Sequence, residues 1–196
     1  MSTRERILET ALRLFNEGGT AAASTNHIAA ACGISPGNLY HHFRNKEAII
    51  RELFERMFAL WGRSSALPSD RAPTLADLQC HVRRTFASVS DYRFIYRELV
   101  PLLRRDEYLQ HRWVAVRTQG FANFHVLIEH FVAAGVLRRP TDPDGVTRLA
   151  ELCWLISEFW PASVEVSGLS LDAARLERGV ALLLQVLQPF VIADSA

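Results

Sequence analysis

Apolar residues in this chain recur at intervals of three and four and never settle into strand-like alternation, so the pattern predicts helix almost from end to end. Ile7, Leu8, Ala11, Leu12 and Phe15 form the first stripe, introduced by a Ser2/Glu5 capping-box pattern and closed by Gly18-Gly19. Ile49, Leu53, Met57 and Leu60 carry a helix over 46–63, with Asn45 placed to cap it. Pro68 and Pro73 mark a loop over 64–74, the clearest boundary in the chain. Further helices are expected at 75–90, 91–105, 107–135, 143–167 and 171–192. Pro101 and Pro161 fall inside apolar helical stretches, where each removes a backbone bond and is expected to kink its helix.

Residues 24–47 break this rhythm into two short helices folded across a tight turn. Ser24 can cap the first, whose Ile28, Ala29 and Cys32 turn a small apolar face inward. Gly33 stands where that helix must stop, because glycine accepts the left-handed conformation. Ser35 can cap the second helix, and Pro36 fits its first turn, where no N–H is required. A short glycine-containing turn between two helices is the arrangement of a helix-turn-helix. In such a unit the start of the second helix meets DNA. Gly37 admits close approach, Ser35 can reach a phosphate while it caps, and the free N–H groups favour an anion. Asn38 has the donor and acceptor that suit adenine N6 and N7, which makes it the first candidate for sequence readout, with His41 second.

The run Ser35-Pro36-Gly37-Asn38-Leu39-Tyr40-His41-His42-Phe43-Arg44-Asn45-Lys46-Glu47 resembles the signature of the tetracycline-repressor (TetR) family of bacterial transcriptional regulators. The resemblance is detailed over about residues 4 to 60. Beyond them it lies in architecture, with weaker matches such as Tyr92-Arg93-Phe94-Ile95-Tyr96-Arg97-Glu98. It implies that Tyr40 and His42 contact the DNA backbone, that Lys46 grips a phosphate, and that Thr25 and Asn26 do so from the preceding helix. Pro36 takes a position where relatives often carry a basic residue. Phe43, by contrast, is expected to pack inside the head.

Composition alters this picture little. The net charge of the 196 residues is only +1, and the first fifty carry five Lys/Arg against four Asp/Glu, so the DNA reading rests on motif and not on charge. No run of eighteen apolar residues exists and the N-terminus lacks a signal-peptide pattern, which leads to the expectation of a cytoplasmic protein with no membrane partner. Cys32, Cys80 and Cys153 lack metal-type spacing and are expected to be buried free thiols. Adjacent His41-His42 and the pair His125/His130 do not resemble a zinc site. With no phosphate loop, nucleophile elbow or paired carboxylates, neither an enzyme nor a cofactor is expected.

The last two helices have the look of an interface. Leu149, Leu152, Cys153, Leu155, Ile156, Phe159 and Trp160 occupy most of the circumference of 143–167, and its charged residues, Glu158 among them, share one narrow stripe. Leu176, Val180, Leu183, Leu187 and Phe190 repeat at helical spacing in 171–192. The residues selected for a four-helix dimer interface, as in the family, are Leu149, Cys153, Ile156, Trp160, Leu176, Val180, Leu183, Leu187 and Phe190; the competing reading is completion of a monomeric core. Between these helices and the head lies the region where family members bind an effector. Arg117 projects near the centre of the apolar face of 107–135, beside the gap at Gly120. A buried cation needs a partner. It is either an effector carboxylate, in a site walled by Tyr96, Phe121, Phe124, His125 and Trp154, or an internal acid such as Glu98.

These readings define an all-α chain of about nine helices. A helix-turn-helix head over 1–46 is joined through helix 46–63 to an effector-binding and dimerisation bundle over 47–196. The resemblance implies a homodimeric repressor on a palindromic operator in double-stranded DNA, released when a small apolar or aromatic effector shifts helix 46–63. An activator of the same family, and a helical interaction protein with an inactive head, are the alternatives.

Overall fold

Side-chain caps start most of the helices. In the computed structural model, which describes residues 1–64, 68 and 70–192, α1 (Thr3–Ala22) begins where Ser2 Oγ accepts the Glu5 N–H at 3.1 Å. The expected capping box closes on this side only, because the Glu5 carboxylate instead takes two N–H donors of Arg56, each at 2.8 Å. Ser24 opens α2 (Thr25–Ala31) by accepting from His27, and Ser35 opens α3 (Pro36–His42) by accepting from Asn38, both at 3.2 Å. Gly33, at φ 65°, makes the turn between them. Asn45 Oδ1 accepts the Ala48 N–H at 2.9 Å in the first turn of α4 (Lys46–Ser64). A complete capping box forms at Thr74 and Asp77, at the start of α5 (Leu75–Asp91). Of the loop expected over 64–74, residues 65–67 and 69 lie outside the described residues.

The single helix expected over 91–105 is two, α6 (Arg93–Arg97) and α7 (Leu99–Arg105), divided at Glu98. Pro101 therefore kinks nothing: it falls in the first turn of α7, where a missing N–H breaks no helical bond. α8 (Glu107–Ala133), α9 (Gly145–Val166) and α10 (Ala173–Leu187) follow, and Pro161 does lie inside α9. The last helix stops five residues short of expectation, passing at Gln188–Phe190 into a 3₁₀ turn that contains Pro189. The described residues thus form ten α-helices and no strand.

Two apolar clusters hold these helices. The first runs without interruption from the head into the body: Ile7, Phe15, Ile28 and Leu39 share it with Phe54 of α4, Phe94 of α6 and Trp113 of α8. The sequence boundary at 46/47 consequently marks no gap in packing. The second cluster joins α5, the end of α8, α9 and α10 through Phe86, Phe131, Cys153, Val180, Leu183 and Leu187. Gly179 permits this approach, since a Cβ there would lie 2.4 Å from Phe86 Cε1 and 2.6 Å from Trp160 Cδ1.

Within one chain, that packing already covers part of the expected interface. Leu149, Cys153, Val180, Leu183 and Leu187 are buried within one chain, and Ile156, Trp160, Leu176 and Phe190 pack partly buried beside the second cluster. The apolar face left open on α9 is Leu152, Leu155 and Phe159, each 46–49% exposed. Both faces of α9 are apolar, so periodicity alone could not say which one the chain covers itself. Cys80 is likewise exposed and not buried, because Leu78, Val82, Phe86 and Val89 define the inner face of α5.

Candidate DNA-reading head and effector cavity

The face of α3 turned to solvent is the polar one. Leu39 and Phe43 are buried in the head, as expected of Phe43, whereas Pro36, Gly37, Asn38, Tyr40 and His41 are exposed and His42 is half-buried. Gly37 meets open space: a Cβ added there would touch only Ser35 Oγ, at 4.0 Å. Thr25 Oγ1 lies 3.0 Å from Tyr40 Oη, which brings the start of α2, with exposed Asn26, beside α3. The start of α2 and the exposed part of α3 therefore lie beside one another. Lys46 is placed differently: its Nζ donates to the Thr20 carbonyl at 2.6 Å, at the end of α1.

Thr20 is also held from the body, by a residue that sequence reasoning assigned elsewhere. Glu98 Oε1 accepts the Thr20 N–H at 2.8 Å, and its other oxygen accepts the Thr20 hydroxyl at 2.5 Å. Gly19, at φ 81°, shapes the chain for this contact. Asn16 adds a second tie: its side chain donates to the Asp91 carbonyl at 2.7 Å and accepts the Phe94 N–H at 3.1 Å. Arg97 then links head to bundle, with Nη2 donating to the Asn16 carbonyl at 2.9 Å and Nε 2.8 Å from Glu165 on α9. None of these partners is separated by a helical repeat, so no periodic signal pointed to them.

Behind the head, α4, α5, α8 and α9 border a half-open cavity of about 1,070 Å³. Of the residues expected there, Tyr96, Phe124 and Trp154 line it. Phe121 instead stacks behind Trp154, with ring centroids 5.0 Å apart, and His125 turns toward Thr147, Nε2 to Oγ1 3.4 Å. The gap expected at Gly120 is filled by Trp154, whose Cη2 would lie 2.2 Å from an added Cβ. Phe58 and Trp61 of α4 complete the aromatic wall. They sit one position beyond the Met57 and Leu60 stripe, and that adjacency was the available signal.

The polar centre of this wall is Glu158, which is 4% exposed. Trp154 Nε1 donates to its Oε1, and Arg117 Nε stands 3.9 Å from the same oxygen. Arg117 therefore faces Glu158 and not Glu98, which is occupied by Thr20; its Nε remains without a hydrogen-bond acceptor. Burial raises the Glu158 carboxyl above the ordinary range, opposed by the Trp154 hydrogen bond and the Arg117 charge. Burial also holds the Tyr96 hydroxyl well above its usual value, helped by the charge of Glu158. The Cys153 thiol on the same wall is pushed up by burial to about 12, which leaves it protonated and inert. The described residues contain no cluster of three or more potential metal ligands, and none of their helices is long and apolar enough to cross a membrane.

A helix-turn-helix head packed on a helical body with a large cavity defines a DNA-binding transcriptional regulator. Residues 7–53 match the model of bacterial regulatory proteins of the tetR family, and residues 62–196 match the TetR model of bacterial transcriptional repressors. The chain belongs to the TetR family. It is 32% identical to a TetR-family regulator from Marinobacter aquaeolei VT8, whose crystal structure superposes over 99% of this chain and 93% of that one with a TM-score of 0.89. With the transcriptional regulator UidR of Escherichia coli (strain K12) it shares 51% identity over 51 residues, 26% of each chain, so the match spans about a quarter of that relative's length. SmeT of Stenotrophomonas maltophilia, in its triclosan complex, has the same fold at 22% identity, covering 100% of this chain and 95% of that one with a TM-score of 0.68.

Proposed function

We propose that this regulator is a homodimeric repressor that binds a palindromic operator and leaves it when an apolar or aromatic small molecule enters the cavity. The observation that carries the reading is the position of α4: it begins beside the DNA-reading helix at Lys46 and ends with Phe58 and Trp61 on the cavity wall. A ligand that fits one tilt of α4 better than another shifts the separation of two heads by its differential affinity alone. One head covers a half-site, and two related by a twofold axis read half-sites about 34–36 Å apart, or a multiple of that. The open Leu152, Leu155 and Phe159 face of α9 supplies the apolar surface on which a second copy packs. This assigns DNA contact to residues 1–46, and ligand binding and pairing to 47–196.

Within the head, Asn38 reads a base with His41 beside it, while Thr25, Asn26, Ser35, Tyr40 and His42 hold the backbone and Pro36 and Gly37 form the close-approaching helix start. Lys46 keeps Thr20 and still has N–H donors for a phosphate, because an ammonium has three. The aromatic cavity and the triclosan-bound SmeT structure both favour an aromatic effector. The test is selection of bound fragments from the source genome, followed by titrations at several salt concentrations. A palindromic motif bound at about 10⁻⁸ to 10⁻¹¹ M is expected. Weak, motif-free binding that collapses with salt is the result against it, and favours an interaction protein with an inactive head.

A further inference from the structure

Glu158 is a carboxylate buried with too few partners. Its Oε1 has the Trp154 indole N–H, while Arg117 approaches only to 3.9 Å and makes no hydrogen bond. The side chain lies on the wall of a 1,070 Å³ cavity. A buried carboxylate in this condition is costly, and a cation brought by a ligand offsets the cost. The other charged groups on the wall are already matched: Arg112 pairs with Glu55 through two bonds of 2.7 Å, and Arg71 with Asp77 at 2.6 and 2.8 Å. A cationic ligand would bring to Glu158 a charge closer than that of Arg117, whereas an anionic one would meet a carboxylate on the wall. Trp61, Trp154, Phe58 and Tyr96 line the same cavity as Glu158, and aromatic rings attract cations within about 6 Å of their centroids, more strongly when water is excluded. Arg117 already does this from outside, 5.9 Å from the Trp154 ring centre and 5.4 Å from that of Phe121.

We propose that the effector of this regulator is a lipophilic organic cation, an aromatic or aliphatic ammonium or amidinium, whose charge faces Glu158 while its apolar body fills the aromatic cavity. This rests on the reading of the cavity as the effector site, and it is opposite in charge to the effector carboxylate that the sequence offered as one of two partners for Arg117.

Three probes of one shape test the charge: naphthylmethyl-trimethylammonium, its uncharged carbon isostere neopentylnaphthalene, and naphthylacetate. Each is titrated against the full chain by calorimetry and tryptophan quenching. The cation is expected to bind at least about tenfold tighter than the neutral isostere. Glu158→Gln, which keeps an acceptor for Trp154, is expected to erase that preference and leave the neutral probe unchanged. Arg117→Gln should strengthen cation binding by removing the competing charge. Equal affinity for cation and isostere in the wild-type chain overturns the proposal while leaving the cavity as an effector site, and so does tightest binding of naphthylacetate with its loss in Arg117→Gln. Binding of none of the three overturns the cavity reading as well.

Discussion

Glu98 and Thr20, separated by 78 residues, form a two-point clasp between body and head, with one carboxylate oxygen on the Thr20 N–H at 2.8 Å and the other on its hydroxyl. Thr20 is 7% exposed and its carbonyl carries Lys46, so a body residue and the first residue of α4 meet on one residue of α1. Glu98→Ala strips the buried Thr20 N–H of its acceptor and should destabilise the fold by about 1–3 kcal/mol. Denaturant unfolding should show a lower midpoint at unchanged slope. Gly19→Ala should act in the same direction, since its Cβ would lie 2.7 Å from Glu98 Oε1 in a backbone region with φ 81°.

Asn38 and Lys46 should separate readout from grip. Asn38→Ala is expected to relax preference at one operator position by about 1–3 kcal/mol, leaving other positions alone. Lys46→Ala should weaken every site alike and reduce the salt slope by about one. Repeating the fragment selection with each variant checks both; an unchanged motif from Asn38→Ala would remove Asn38 from the readout.

The open face of α9 and the buried face of α10 should respond in opposite ways to charge. Phe159→Glu, alone or with Leu155→Glu, is expected to give a folded monomer with much weaker operator binding, because these side chains are open in the single chain. Leu183→Glu, at 5% exposure in the second cluster, should instead lower thermal stability severely by burying an unpaired charge. Sedimentation together with thermal melting distinguishes the outcomes. A dimer that survives Phe159→Glu with Leu155→Glu places the contact elsewhere.

The pH response of Glu158 has a definite sign. Burial raises its folded pKa above the unfolded value, so between the two values the folded chain holds the proton more tightly. Its contribution to stability is therefore greatest below the unfolded pKa and declines as pH rises through the folded one, remaining low above it. Glu158→Gln should flatten this decline and be no less stable than the wild type at neutral pH. Melting curves across the acidic range test it; a variant that loses stability only at neutral pH would show that the ionised carboxylate is favourable where it lies.

The helix starts were legible because a cap acts over three residues. Ser24, Ser35 and Asn45 each bond the N–H three positions ahead, and Gly33 turns the chain, so the helix-turn-helix and the outward face of α3 follow from local chemistry. The same locality explains the errors. Local sequence makes Pro101 an interior kink, but Glu98 splits the helix ahead of it, and the split accompanies a contact to Thr20 that no neighbouring residue announces.

By itself, then, the sequence determined that the chain is helical, where the head turns, and which polar groups of α3 face outward, since each depends on residues within one or two turns. Tertiary structure decided which apolar face of α9 is covered by α5 and α10 and which stays open, that Arg117 meets Glu158 while Glu98 meets Thr20, and that Trp154 fills the space beside Gly120. The reason is physical: an amphipathic period says that a face must be buried but not against what, and a charged side chain takes whichever partner the packed helices bring within a few ångströms.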